Sequence, residues 1–377
     1  MNKSNKNLGK PIVKRGILDI EAYIGGKSAV PGVANPIKMS SNENPHGCSP
    51  KAEAAFLASA PRLNRYPDGK AAPLRAAIAR HNGLEPERLI FGAGSDELYI
   101  LLAQIYLEPG DSIVQAKHAF LSYAISARAC QAVVKEAEQA NLRIDVDAML
   151  AQVDARTKLV FVGNPDNPTG SWLSGAELRR LHAGLPSNVV LVIDEAYGDF
   201  ARADDFEPML EFARDKDNVV VTRTFSKLYG LAALRIGWAY APAEMIEAME
   251  RIRLPFNTTI PAQEAATAAL EDQEFVETTI SENARWRAWL IERFEELNLE
   301  VWPSQTNFVL VRFPDEPGRT AAEAEAFLAQ RGYIVRGLGN YRLPGYIRVT
   351  VGLDPHNRAL VGLLAEFLGE KTNGVDG

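Results

Sequence analysis

The sequence predicts an α/β fold: a mainly parallel seven-stranded sheet flanked by helices, with a smaller α+β domain attached. Three observations carry that expectation. First, from about residue 88 short apolar runs rich in β-branched residues recur at 89–91, 113–114, 133–134, 159–162, 189–193, 219–221 and 236–240. Strands buried on both faces read this way. Second, longer amphipathic stretches such as 96–107 and 174–183 separate the runs. Strands that alternate with helices imply βαβ units with right-handed crossovers. Third, the texture changes after about residue 260. A long helical stretch over 261–297, rich in Ala, Glu and Arg, precedes strands at 307–311, 333–335 and 346–351 and a helix at 321–330. The expected division is an N-terminal arm over 1–45 that packs on the small domain, a large domain over 46–270 and a small domain over 271–377. Pro31, Pro36 and Pro45 mark the arm. The ends, before Ile17 and after Lys371, read as frayed.

Composition excludes several classes. The 377 residues are 46% hydrophobic and 24% charged, a globular balance. Against 48 Asp+Glu stand 41 Lys+Arg, a net charge of -7, which argues against a general nucleic-acid binder. Two cysteines, Cys48 and Cys130, are too few for a disulfide scaffold or a cysteine-based zinc site, and the five histidines lack metal-ligand spacing. No metal is expected. No apolar run approaches the roughly 20 residues that span a bilayer, so no membrane is expected. The basic N-terminal segment lacks the apolar core of a secretory signal. A reducing cytoplasm is the expected location.

In an open α/β sheet, ligands bind beyond the carboxyl ends of the strands. The residues just past each run therefore matter most. After 89–91 come Gly92-Ala93-Gly94-Ser95-Asp96-Glu97, a turn that opens a helix and offers free N–H groups to an anion. After 113–114 comes Phe120, an aromatic able to cover a ring. A turn holding Asn167 comes after 159–162. Asp194 and Tyr197 come after 189–193. Thr224, Ser226 and Lys227 come after 219–221, with Arg235 eight residues later. Each signal alone is weak: the glycine-rich turn lacks the third glycine of a dinucleotide fingerprint and is no P-loop. Their sum, at one edge of one sheet, suits pyridoxal phosphate. That cofactor asks for a lysine, a carboxylate that keeps its ring nitrogen protonated, and hydroxyls, backbone N–H groups and an arginine for its phosphate.

By these residues the chain resembles the fold-type I, class I/II aminotransferases, and more closely their histidinol-phosphate branch. The resemblance runs from about Tyr23 to Gly352. It rests on Ser41-Asn42-Glu43-Asn44-Pro45, Tyr66-Pro67-Asp68-Gly69, Gly94-Ser95-Asp96-Glu97-Leu98, Asn167-Pro168-Thr169-Gly170, Asp194-Glu195-Ala196-Tyr197, Arg223-Thr224-Phe225-Ser226-Lys227 and Arg348-Val349-Thr350-Val351-Gly352. It implies that Lys227 is the lysine joined to the cofactor and shuttles the α-proton. Asp194 is then the ring-nitrogen partner, Tyr197 and Asn167 donate to the phenolic oxygen, and Phe120 stacks on the ring. Ser95, Asp96, Thr224, Ser226 and Arg235 hold the phosphate, and Tyr66 reaches the phosphate of the neighbouring subunit. A homodimer with shared active sites is the corollary. Arg348 grips the substrate carboxylate, while Tyr23, Asn44 and Arg336 shape the substrate pocket. The implied partners are a small amino donor and a 2-oxo acid, here L-histidinol phosphate and 2-oxoglutarate in histidine biosynthesis. Aromatic amino acids as donors, or a lyase resembling threonine-phosphate decarboxylase, remain as alternatives. The chain departs from the family in three places: Asp166 stands where Asn is usual, His118 where Pro is usual, and Phe120 where Tyr is commoner.

Overall fold

A computed structural model describes residues 11–370. Much of the two ends expected to fray falls on 1–10 and 371–377, outside the described residues. All seven apolar runs become strands of one sheet. Its order is Leu89–Gly92, Gly237–Tyr240, Val219–Thr224, Val190–Asp194, Thr157–Gly163, Ser112–Ala116, Val133–Ala137. Pairing is parallel except at Gly237–Tyr240, which runs antiparallel to both of its neighbours. Every residue of the inner strands Ser112–Ala116, Val190–Asp194 and Val219–Thr224 is buried. That is why these runs are continuously apolar rather than alternating.

Register decides which residues gather at the carboxyl edge. Gly163 pairs with Asp194, and Asp194 with Thr222. Thr224 pairs with Gly237, and Gly237 with Gly92. The polar residues beyond four parallel strands thus emerge level with one another. Close approach at this edge needs glycine: a Cβ on Gly237 would lie 2.6 Å from the backbone nitrogen of Ser95.

One hydrophobic core gathers residues between Ala52 and Val276, with Phe308 of the small sheet, around the large sheet. A second gathers Met39 with residues between Trp286 and Leu368. The second core covers a four-stranded antiparallel sheet in which Phe308–Arg312 and Leu343–Thr350 are central. The arm joins this half of the molecule. Ile37–Lys38 pairs in parallel with Tyr333–Ile334, apart from the four-stranded sheet.

The long helix expected over 261–297 is two helices, Ile260–Glu271 and Gln273–Glu296. Asp272 breaks it with φ −94 and ψ 69, held by an ion pair to Lys51 at 3.0 Å. Periodicity continued across the break because only one residue leaves the helical region.

The strings around Glu195 and Arg223 carry structural charges as well. Arg223 donates to Glu195 Oε2 through Nη2 at 2.7 Å and Nε at 3.0 Å, and its Nη1 reaches Asp199 at 3.2 Å. The other Glu195 oxygen accepts from the Met209 amide at 2.6 Å. These buried charges satisfy one another and brace the strand ends around Asp194.

Candidate active site

The sheet edge, the arm and the small sheet enclose a cleft of about 580 Å³. Lys227 enters it from the turn after Val219–Thr224. Its Nζ donates to the Ser41 carbonyl at 3.0 Å, and no carboxylate among the described residues pairs with it. Burial, with the Arg348 guanidinium nearby, pushes its ammonium down to about 8. An appreciable fraction is therefore a free amine near neutral pH.

Asp194 closes the floor. Its Oδ2 accepts from the Tyr123 hydroxyl at 2.6 Å and its Oδ1 from the Ala196 amide at 3.0 Å. Behind Tyr123 stand Tyr99, edge-on at 5.0 Å, and Phe161, stacked at 4.7 Å. Burial pushes the Asp194 carboxyl up. A cation placed against it would restore the ionised form.

Tyr197, just past Asp194 on the same strand end, and Asn167, past the neighbouring strand, face the same space. The Tyr197 oxygen accepts from Asn42 Nδ2 at 2.8 Å, which leaves its own proton to donate into the cleft. Asn167 Oδ1 accepts from Arg348 Nη1. Among the described residues its NH2 group has no acceptor.

A second cluster forms an anion cradle. Gly94, at φ +78, leads into the helix Ser95–Tyr106. Arg235 Nη2 approaches so closely that a Cβ on Gly94 would lie 2.4 Å from it. Arg235 Nη1 donates to Ser226 Oγ at 3.2 Å, and Thr224 Oγ1 donates to the same oxygen at 3.0 Å. Asp96 faces Arg235 at 3.3 Å and accepts from Ser122 Oγ at 2.7 Å. Free helix N–H groups, three hydroxyls and one guanidinium converge here, the donor set of a phosphate site.

The outer wall holds two more cations without counter-ions. Arg348 is buried; its Nη2 donates to the Ser40 carbonyl at 2.9 Å, and its Nε is enclosed without a partner. Arg336 Nη2 donates to the Ile24 carbonyl at 2.8 Å. Neither meets a carboxylate among the described residues. Tyr23 stands over the mouth, edge-on to Phe120 at 6.4 Å.

One expected residue does not join, and another, Tyr66, is expected to reach a neighbouring subunit rather than this cleft. Asn44 lies outside the cleft: its Nδ2 donates to the Leu228 carbonyl at 2.7 Å and its Oδ1 accepts from the His46 amide at 3.0 Å. Both halves of its amide are used in backbone contacts, so it pins the Lys227 loop to the arm and the expectation of substrate contact is corrected. Asn42, two residues earlier and at φ +57, faces Tyr197 instead. Tyr66 is 81% exposed and stacks on Phe256 at 4.7 Å, away from its own cleft. Sequence reasoning missed Tyr123, Ser122 and Asn42. The signal for the first two is their place in the first turn of the helix after Phe120, a few residues beyond a strand end.

No helix among the described residues is long and apolar enough to cross a membrane, and none of their acidic, His and Cys side chains cluster as a metal site. The family model of aminotransferase class I and II matches residues 34–361. The chain is 58% identical over 356 residues to histidinol-phosphate aminotransferase 1 of Caulobacter vibrioides, covering 94% of this chain and 99% of that one. It is 48% identical over 355 residues to the histidinol-phosphate aminotransferase of Maricaulis maris, with 94% and 98% covered. Among solved structures, the histidinol-phosphate aminotransferase of Sinorhizobium meliloti in complex with pyridoxal-5'-phosphate superposes with a TM-score of 0.86 at 27% identity, over 96% of this chain and 99% of that one.

Asp166 generates a prediction about pH. It is buried, its Oδ2 accepts from Thr169 Oγ1 at 2.8 Å, and its Oδ1 is enclosed without a partner. Burial pushes its carboxyl from 3.8 up to about 7. A carboxyl with a raised folded-state pKa contributes fully below the unfolded value and loses that contribution as pH climbs through the folded one. Between pH 5 and pH 8 the protein should lose on the order of 2 kcal/mol of stability relative to Asp166→Asn. Denaturant melts of both proteins across that range check it; parallel curves would mean that Asp166 holds no such proton.

Proposed function

As the chain belongs to the class I and II aminotransferases, we propose that it moves the amino group of L-histidinol phosphate to 2-oxoglutarate, giving imidazole acetol phosphate and L-glutamate. The observation that carries this reading is the set of cleft cations, Lys227, Arg336 and Arg348, that no carboxylate of the described residues neutralises. A guanidinium that lines a cleft and meets only carbonyl and amide oxygens keeps its charge available to an anion. Guanidinium groups pair with carboxylate and phosphate alike, so one wall can serve both substrates.

The cofactor is pyridoxal 5'-phosphate, and the residues present fit it. The Gly94 cradle, open only because glycine has no Cβ, suits its phosphate. Asp194, buried with no cation, suits a protonated ring nitrogen. When bound, this group supplies a carbonyl carbon for the substrate nitrogen and a ring that takes up the electron pair left when the α-proton departs. The chain's own side chains do the rest. Lys227 Nζ would take up the α-proton and give it back, which its lowered pKa permits near neutrality. Asp194 would hold a proton on the ring nitrogen by its charge. Tyr197 and Asn167 would donate hydrogen bonds to the phenolic oxygen. Phe120 would cover the ring, and Arg348 would orient the substrate so that the α-hydrogen faces Lys227.

The division of the chain into an arm over 1–45, a large domain over 46–270 and a small domain over 271–377 belongs to the same reading, supported by the two cores. So does a homodimer in the cytoplasm. Tyr66 is exposed among other exposed apolar side chains, Phe56, Leu63 and Phe256, a surface that suits a second copy of the chain.

Three outcomes are expected. With a panel of amino donors, kcat/KM should be highest for L-histidinol phosphate. A tenfold advantage for phenylalanine or tyrosine, about 1.4 kcal/mol of transition-state preference, would favour the aromatic reading, and carbon dioxide release from threonine phosphate the lyase. Borohydride should trap the cofactor on Lys227 in peptide maps, with capture of pyridoxal phosphate by the apo-protein levelling off above about pH 8; an adduct on another lysine, or no adduct at all, refutes the assignment. Finally, mixing inactive Tyr66→Ala and Lys227→Ala subunits should restore part of the activity, because one site of each hybrid escapes both lesions. An active monomer in sedimentation would exclude shared sites.

A further inference from the structure

Tyr341 sits in the wall of the cleft, and the reaction leaves it without a task. Its ring is buried, packed with Leu310, Leu338 and Leu343, and the residue is 3% exposed. It nevertheless lines the cleft. Its hydroxyl has no hydrogen-bond partner among the described residues. Besides burial, the charged and phenolic groups that act on it are Arg348, Tyr23 and Arg336 of the outer wall, and Tyr197. That hydroxyl is not enclosed and the residue lines the cleft, so it opens on the cleft between guanidinium groups as a free donor for a ligand oxygen.

The backbone around it is held from the opposite domain. His118, in the loop after Ser112–Ala116, makes a 2.7 Å hydrogen bond from its Nδ1 to the Tyr341 carbonyl, and its own amide donates to Gln139 Oε1 at 3.0 Å. Burial pushes the imidazole pKa down, so the ring is neutral and can donate its Nδ1 proton to that carbonyl. The turn that carries Tyr341 is thereby tied to the large domain at the mouth of the cleft.

Substrate chemistry says which oxygen this is. Glutamate carries a carboxylate on its α-carbon, with two oxygens two bonds from that carbon. L-histidinol phosphate carries CH2–O–PO3 at that place, with three terminal oxygens set two bonds farther out. Arg348 has already committed one N–H of each terminal nitrogen, to Asn167 and to Ser40. Its remaining N–H groups can grip a carboxylate, but a phosphoryl group reaching farther out asks for donors beyond it. Arg336 offers charge there, and Tyr341 offers a neutral donor fixed by a buried ring, unlike the half-exposed Tyr23 at the mouth.

We infer that the Tyr341 hydroxyl is a specificity-determining contact that donates to a phosphoryl oxygen of the amino donor and distinguishes it from an α-carboxylate. This rests on the histidinol-phosphate reading above and adds a residue to it.

Tyr341→Phe removes one oxygen and keeps the ring that packs the wall. The two half-reactions should be measured separately, with L-histidinol phosphate and with L-glutamate as donors. The loss of kcat/KM with the phosphate donor should exceed the loss with glutamate by about tenfold or more, chiefly through KM, as expected for a hydrogen bond to a charged group. Equal losses, as a general weakening of the wall would cause, overturn the inference, and so does no loss with either donor. Inorganic phosphate as a competitor against glutamate separates this inference from the reading on which it rests. If the wild type does not turn over histidinol phosphate but inorganic phosphate competes, and competes about tenfold less well in Tyr341→Phe, the contact stands and the substrate reading falls. If inorganic phosphate competes equally in both proteins, or in neither, the contact falls.

Discussion

The structure turns on a carboxylate held out of water with no cation beside it. Asp194 ends a strand in the middle of the large sheet, and the chain gives it only neutral donors: the Tyr123 hydroxyl, the Ala196 amide and, at 3.4 Å, the Thr222 hydroxyl. That is an expensive place for a charge unless a partner arrives. Much of the surrounding architecture keeps the arrangement intact. Tyr99, Tyr123 and Phe161 form a rigid aromatic backing. The Glu195–Arg223–Asp199 group satisfies the neighbouring charges among themselves, so they do not neutralise Asp194. The sheet register then presents the ends of four strands at one level, where a planar ring can meet them together.

The same principle extends to the opposite wall. Lys227 and Arg348 are held by backbone carbonyls, Ser41 and Ser40, which orient a cation without cancelling its charge. Those carbonyls belong to the arm. Asn42, between them and the small sheet, donates to Tyr197, accepts from Thr350 at 3.1 Å and lends its carbonyl to Asn307 at 3.0 Å. One asparagine in the left-handed region thus joins the arm, the large sheet and the small sheet. Motion of the small sheet against the large one would pull on Tyr197 and Arg348 together.

The polar strings of the sequence divide, in the structure, into residues that face the cleft and residues that hold them there. In Ser41-Asn42-Glu43-Asn44-Pro45 the side chain of Asn44 is consumed by backbone. In Asp194-Glu195-Ala196-Tyr197 the acid turned to the cleft is the first and the acid turned to the core is the second. Such strings recur as units because scaffold and site are interleaved residue by residue. A string therefore points to a site without saying which of its members touches the ligand.

The sequence by itself determined the seven strands, the helices between them and the polar residue beyond each strand. Those properties are local: a run buried on both faces must be apolar along its length, and the residue that ends it must turn. Asp194, Lys227, Asn167 and the Gly94 turn were legible for that reason. Tertiary structure alone decided that Asn42 and not Asn44 faces the cleft, since a positive φ at Asn42 redirects its side chain. It alone brought Tyr123 under Asp194 across 71 residues, and the Tyr341 carbonyl to His118 across 223. It also broke the long helix at Asp272, where Lys51 waits from another helix. Contacts of that reach depend on register and on the packing of two cores, and no window of sequence holds both of their ends.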